Sequence, residues 1–278
     1  MGKVWFVTGS SRGLGREFVS AALSRGDQVA ATARDTSALA DLVAEHGTAI
    51  LPLTLDVTDR AAVVAAVQQA YEHFGRLDVV VNNAGFGLFG TIEEISEADI
   101  RAQLETNVLG ALWVSQAVLP YLREQGSGHI VQVSSAGGVL AFPALGGYHA
   151  SKWALEGFSE SLSQEVAGFG IKVTIVEPGS YGTDWGGPSA SFSAPHPAYD
   201  GLRQAMAGFQ LRQGSPRAAA QALLTVVDAE NPPLRIFFGT QPYQAAQGVY
   251  ADRLKTWADW SALSAEAEGE PALHGVVA

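Results

Sequence analysis

Short apolar runs alternate along this chain with longer stretches in which apolar residues recur at helical spacing. The runs at residues 4–7, 28–32, 50–55, 79–81, 129–133, 172–176 and 234–238 are dense in Val, Ile, Leu and Phe. Runs of that kind suit strands covered on both faces, as in a parallel sheet. Between the first two, Leu14, Phe18 and Ala22 recur every four residues ahead of Gly26, which predicts a helix closed by a glycine. The Ala- and Val-rich stretch 60–74 predicts a second helix with Thr58 as N-cap. Ser96 stands three positions before Asp99, a capping-box spelling, and opens a long helical region reaching about residue 124. Ser215 followed by Pro216 spells another helix start. This alternation predicts an α/β fold, a doubly wound parallel seven-stranded sheet with helices on both faces, in a single domain spanning 1–260. Segment 185–210 breaks the pattern: Pro188, Pro195 and Pro197 fall in it and no charged residue precedes Asp200, so it reads as a lid or substrate loop. Residues 261–278 are acidic and poor in core residues, and predict a tail, either frayed or held by another subunit.

Composition narrows the function classes. Apolar residues make up 47% and charged residues 16%, which excludes a disordered chain. Seventeen Lys and Arg against twenty-eight Asp and Glu leave a net charge of −11. That balance repels phosphate backbones and anionic lipids, so neither a nucleic-acid nor a membrane partner is expected. With no Cys there is no disulfide, zinc ribbon or thiol nucleophile. No apolar run approaches the roughly 18 residues of a membrane span. The first residues enter a strand at once, with no room for a signal peptide, so a cytoplasmic protein is expected. His46, His73, His129, His149, His196 and His274 are scattered without ligand spacing, and no metal is expected.

The first strand is followed by Thr8-Gly9-Ser10-Ser11-Arg12-Gly13-Leu14-Gly15 and then a helix. Glycines on such a turn let the backbone approach a pyrophosphate, and the helix start supplies unpaired N–H groups and a positive dipole. A site for NAD commonly has an acid at the end of the second strand, to hold the ribose hydroxyls. Here that position is Ala33, followed by Arg34, with Arg12 in the glycine turn. Two guanidinium groups suit a 2′-phosphate, so NADP(H) is preferred, while Asp35 keeps NAD(H) open. Further along, Tyr148 and Lys152 lie four apart and share one face of a helix. An ammonium about 5 Å from a phenol contributes about 3 kcal/mol toward its ionisation at an effective dielectric near 20, which predicts a lowered phenol pKa.

Six ordered motifs, spread over roughly residues 3–254, resemble the short-chain dehydrogenase/reductase family in its short form. They are the glycine turn, Asn82-Asn83-Ala84-Gly85, Asn107, Ser134-Ser135, Tyr148 with Lys152, and Pro178-Gly179 followed by Thr183. The resemblance implies a Rossmann-like fold and an oxidoreductase that reduces a ketone or aldehyde, or runs the reverse reaction, with a nicotinamide cofactor. It implies that Tyr148 is the general acid or base, that Lys152 holds the nicotinamide ribose and lowers the phenol's pKa, that Ser135 hydrogen-bonds the substrate oxygen, and that Asn107 holds a water leading from Lys152. The implied cofactor contacts are Gly9, Ser11, Arg12, Gly13, Leu14, Gly15, Arg34, Asp56, Val57, Asn83, Ala84, Gly85, Pro178, Gly179, Tyr181 and Thr183. Tyr181-Gly182 departs from the family's spelling before the threonine. Relatives use the helix after Tyr148 to join subunits, which implies a homodimer or homotetramer.

Val139, Phe142, Leu145 and Trp185 are expected to line the substrate pocket, and their apolar character suits a small neutral carbonyl or alcohol. Two other readings stand beside this one, an NAD-dependent alcohol dehydrogenase working in oxidation and a dinucleotide-sensing regulator without turnover. The Tyr-to-Lys spacing of four speaks against an enoyl reductase, and Ser135 lacks the Gly-x-Ser-x-Gly elbow of a hydrolase.

Overall fold

Seven strands hydrogen-bond side by side and all in parallel, in the order β3-β2-β1-β4-β6-β7-β9. They are β1 (Val4–Val7), β2 (Gln28–Ala33), β3 (Ile50–Thr54), β4 (Val79–Asn82), β6 (Gly128–Val133), β7 (Ile171–Pro178) and β9 (Arg235–Phe238). Each coincides with one of the apolar runs to within two residues. The computed structural model describes residues 2–208 and 212–269.

Helices cover both faces, so the sheet has two cores. On one face α1 (Gly13–Ser24), α2 (Ala40–His46) and α8 (Pro216–Asp228) bury Phe18, Val19, Leu42 and Leu223 against Trp5, Val7 and Val29. On the other, α3 (Arg60–Phe74), α5 (Ala111–Gln125) and α6 (Gly146–Val166) bury Val63, Val118 and Leu162 against Phe6, Val80 and Ile130. Adjacent strand residues thus feed opposite cores, which is why the runs show no polar alternation.

Local signals read as expected in most places. Gly26, at φ +89°, ends the first helix, and the Ser96 and Ser215 hydroxyls accept from Asp99 N and Ala218 N at their helix starts. At the α3 start, however, Asp59 accepts from Ala62 N, while Thr58 donates its hydroxyl to Asp56. The longer carboxylate arm at the next position reaches the N3 amide, and Thr58 is left to close an Asx turn.

Two features were outside the sequence reading. The helical region after Ser96 is not continuous: α4 (Glu97–Leu104) passes into a π-helical turn (Glu105–Gly110) before α5. Segment 185–210 is also strapped down. Its β8 (Ser191–Phe192) pairs with β5 (Leu88–Phe89), and α7 (Asp200–Ala207) follows, with Arg203 gripping Glu94. The last three positions expected in that loop, apart from residue 208, lie outside the described residues. The chain end is helical, α9 (Thr240–Asp259) and α10 (Ser261–Glu268), so the expected tail begins as a helix; its final nine residues lie outside the described residues. Among the described residues no helix is long and apolar enough to cross a membrane.

Candidate active site

The strand order reverses direction between β1 and β4, and ligands of open α/β sheets sit outside the carboxyl ends of the strands at such a point. The glycine turn and Asn83 meet there. Gly9 (φ +67°) and Gly13 (φ +58°) hold left-handed conformations that side chains resist. Gly15 has an ordinary backbone but no room, since a Cβ would lie 2.3 Å from both Asn83 Nδ2 and Gly9 O. Asn83 makes that closeness, donating Nδ2 to Thr8 O and Gly9 O at 2.9 and 3.1 Å. Thr8 Oγ1 answers by accepting from Asn83 N and Ala84 N, both at 3.0 Å. Asn83 and Ala84 therefore brace the turn from below.

The turn fits a dinucleotide phosphate on the structure's own terms. Arg12 occupies the α1 N-cap position without a side-chain cap bond, and the first helical turn carries no acidic residue. The N–H groups of a long, partly buried helix are thus left for an external anion. Ser11 and Leu14 lie within the turn, and the Thr183 methyl sits 3.6 Å from where a Gly13 Cβ would be. Arg12 and Arg34 are exposed, and neither has a hydrogen-bond or ion-pair partner among the described residues. Asp35 has turned to cap the short turn Thr36–Leu39, accepting from Ser37 N at 2.9 Å, and this holds its carboxyl below the usual range. Asp56 is exposed and accepts from Thr58, with buried Val57 packed under Gly110.

Chemistry-bearing side chains converge on the same end of the sheet. Tyr148 and Lys152, each 5% exposed, lie one turn apart on α6. Lys152 Nζ donates to Val133 O at 2.8 Å, stands 5.9 Å from the Tyr148 ring centre, and lies 3.6 Å from the Cβ position of Gly85. The Ser135 hydroxyl caps its own short turn by accepting from Gly137 N, and it also hydrogen-bonds the phenol. Asn107 projects from the π-helical turn. Its amide accepts from Phe86 N and donates to Phe86 O and Ser151 Oγ, each at 3.1 Å, and Oδ1 lies 3.0 Å from the Gly85 Cβ position. The extra residue of the π turn swings Asn107 inward beyond where a regular helix would aim it. His149, paired through Gly137 O and Phe142 N at 2.9 Å each, clamps the Ser135 loop as a packed ring, and burial pushes its pKa down.

The phenol departs from expectation. Burial pushes the Tyr148 pKa up to about 12, with Ser135 opposing it, and burial brings Lys152 down to about 8. The expected lowering assumed an ammonium facing the hydroxyl. Instead Lys152 spends its hydrogen bond on Val133 O, and desolvation of a fully enclosed phenol outweighs the remaining Coulomb attraction.

The residues expected around the substrate divide. Trp185 packs edge-on against Tyr148 with ring centres 5.0 Å apart, backed by Phe89 at 5.3 Å. Leu145 precedes α6 and bridges to Gly90, and Phe142 is half exposed against His149. Val139 is buried with Ala136, Leu140 and Ala246, because Arg253 draws its carbonyl toward α9. Pro178 and Gly179 end β7, where Gly179 N donates to Phe238 O. The Tyr181 ring packs over Gly214 and into the α1–α8 core, leaving its backbone toward Thr183. The stripe on α6 expected to join subunits is mostly internal, with Leu155, Leu162 and Val166 buried.

A sequence profile described as short chain dehydrogenase matches residues 3–192. The chain is 45% identical over 276 residues to Oxidoreductase BOA17 of Botryotinia fuckeliana, covering 95% of this chain and all of that one. A solved short-chain dehydrogenase from Streptomyces avermitilis superposes with a TM-score of 0.88 at 40% identity, over 95% of this chain and 99% of that chain. Two more distant structures are a Burkholderia cenocepacia short chain dehydrogenase in complex with NADP (27% identity, TM-score 0.75, 93% and 97% covered) and a Burkholderia phymatum one in complex with NAD (25%, 0.78, 92% and 95%). With the parallel sheet and the uncapped glycine turn already in place, these likenesses assign the chain to the short-chain dehydrogenase/reductase family of NAD(P)-dependent oxidoreductases.

Proposed function

We propose that this protein is an NADP(H)-preferring oxidoreductase that interconverts a small, neutral, partly apolar ketone or aldehyde and its alcohol. The observation that carries this reading is the convergence of Ser135, Tyr148, Lys152 and Asn107 beside a helix start that lacks any cap of its own. A bound nicotinamide dinucleotide would supply the hydride chemistry. The glycine turn and α1 would hold its phosphates, with Thr183 over the turn and Asp56 and Val57 at the adenine side. Tyr148 gives its phenolic proton to the carbonyl oxygen in reduction, and takes a proton from the alcohol in oxidation. Ser135 orients that same oxygen. Lys152 keeps a positive charge next to the cleft, and Asn107 fixes the Phe86 backbone that forms its floor. Trp185 excludes water above the phenol, which suits an apolar substrate better than a sugar phosphate.

NADP(H) is favoured because the one carboxylate near the second strand end is occupied with Ser37 while Arg12 and Arg34 remain unpaired among the described residues. A charge-assisted bond to phosphate contributes about 1.5–3 kcal/mol, so Arg12→Ala and Arg34→Ala should each weaken NADPH roughly 10- to 100-fold. NADH affinity should hardly move. Titrating both cofactors by fluorescence checks this, and an equal loss for NADH would defeat the phosphate assignment. A panel of ketones, aldehydes and alcohols run with each cofactor tests the activity itself, and absence of turnover across it would favour a dinucleotide-sensing role.

A further inference from the structure

Behind Lys152, on the side away from the phenol, lies a cluster of charge for which the chemistry above has no use. Glu156 follows Lys152 by one turn of α6, and Glu177 lies on β7; their side chains are 6% and 2% exposed. Arg235 of β9 reaches between them, with Nε 3.0 Å from Glu156 Oε2 and 3.7 Å from Glu177 Oε1. Its other end, Nη2, binds the half-exposed Glu160 at 2.8 Å. The Ser134 hydroxyl flanks Glu156 where the Gly138 Cβ would stand, and it helps hold that carboxylate charged. Glu177 Oε1 has no hydrogen-bond donor among the described residues.

The charges faced by this enclosure are therefore Lys152 and Glu160 from α6, Glu177 from β7 and Arg235 from β9, around Glu156. Two cations cannot neutralise three carboxylates, and Glu160 draws its share from the solvent side. We propose that Glu156 and Glu177 form a buried acid couple sharing one proton, and that Glu156 is a positioning residue that keeps Lys152 positively charged. This inference rests on the reading of Lys152 under Proposed function. Arg235 approaches Glu156 more closely than Glu177, so the shared proton resides on Glu177. Burial and the neighbouring Glu156 push Glu177 up to about 8. Burial lowers Lys152 to about 8, and Glu156 is the group that opposes this. Proton loss from the enclosure on the alkaline side thus belongs to the coupled pair Lys152 and Glu177.

The test is the alkaline limb of carbonyl reduction. Because the phenol is pushed up to about 12, it does not titrate in the working range, and the limb reports the Lys152 side. Glu156→Gln should move the limb about one pH unit lower while leaving cofactor affinity near neutral pH within about twofold. Glu160→Gln, which loosens Arg235 from the solvent side, should leave the limb in place. A limb unmoved by Glu156→Gln, or moved equally by both variants, overturns the proposal. A second measurement does not need activity or a stable Glu156 variant. Infrared difference spectra of the wild type should show a protonated-carboxyl C=O band at neutral pH that fades above about pH 8 and is missing in Glu177→Gln. Its absence from the wild type overturns the shared proton. Tyr148→Phe run in the same assay separates the two levels: if it retains turnover the enzyme reading fails, and if it is inactive the limb and the band judge the acid couple alone.

Discussion

Tyr148→Phe is expected to bind NADPH as the wild type does and to lose roughly a thousandfold in kcat, in the range removed when a positioned general acid is deleted. The substitution takes away one oxygen atom. The ring keeps its neighbours, Trp185 at 5.0 Å and His149 at 6.0 Å, so the pocket retains its shape. The lost partner is the half-exposed Ser135 hydroxyl, which retains its bond from Gly137 N; stability should change by no more than about 1 kcal/mol. A kcat that falls while cofactor affinity and melting temperature hold is the signature of a group acting only on the reacting oxygen. The direction of the raised pKa adds a second expectation. A phenol pushed up to about 12 is fully protonated at neutral pH, so reduction finds its acid ready. Oxidation needs the phenolate, whose fraction grows about tenfold per pH unit below that value, so its rate should climb with pH while reduction does not. Steady-state rates in both directions across pH check this. Near-normal turnover in the variant would remove the proposed acid.

How much of this was legible beforehand follows from the range of the interactions involved. The seven strands were readable because each is apolar on both faces, and a doubly covered strand needs no long-range information to be recognised. The glycine turn, Tyr148 and Lys152 were readable because their chemistry sits within one turn of local structure. Asn107 was named from resemblance, but its inward swing depends on a π-helical turn that no periodicity marks. The strap between β5 and β8 joins Leu88 and Phe89 to residues about a hundred positions away through two-residue strands, too short to carry a pattern. Glu156, Glu177 and Arg235 read as ordinary surface charges on a helix and two strands. Only the sheet order, which sets β7 beside β9 under α6, brings them into one enclosure. The phenol's raised pKa failed for the same reason. The i, i+4 spacing gives proximity of Tyr148 and Lys152, but the hydrogen bond to Val133 O and the degree of burial are tertiary facts.

The other large effect belongs to Gly15. Gly15→Ala should cost about 3 kcal/mol of stability and weaken NADPH by about a hundredfold or more. Its φ lies outside the left-handed region, so the cause is not backbone strain but space. The added methyl would stand 2.3 Å from Gly9 O, a backbone atom with nowhere to go, and equally close to Asn83 Nδ2. Relief requires Asn83 to give up its bonds to Thr8 O and Gly9 O, and these bonds hold β4 against the turn. Overpacking costs about 1–3 kcal/mol and each lost buried bond about 1 kcal/mol, which gives the stability estimate. The affinity loss follows from geometry, since a turn pushed off Asn83 no longer aims the α1 N–H groups at the phosphate. Gly157→Ala is the control. That glycine lies inside α6 with nothing within 4 Å of its Cβ position, so the change should stabilise the fold by about 0.5–1 kcal/mol through helix propensity. Thermal melts and cofactor titrations of the two variants side by side decide the matter: if Gly15→Ala melts and binds like Gly157→Ala, close approach of Asn83 is not what the glycine is for.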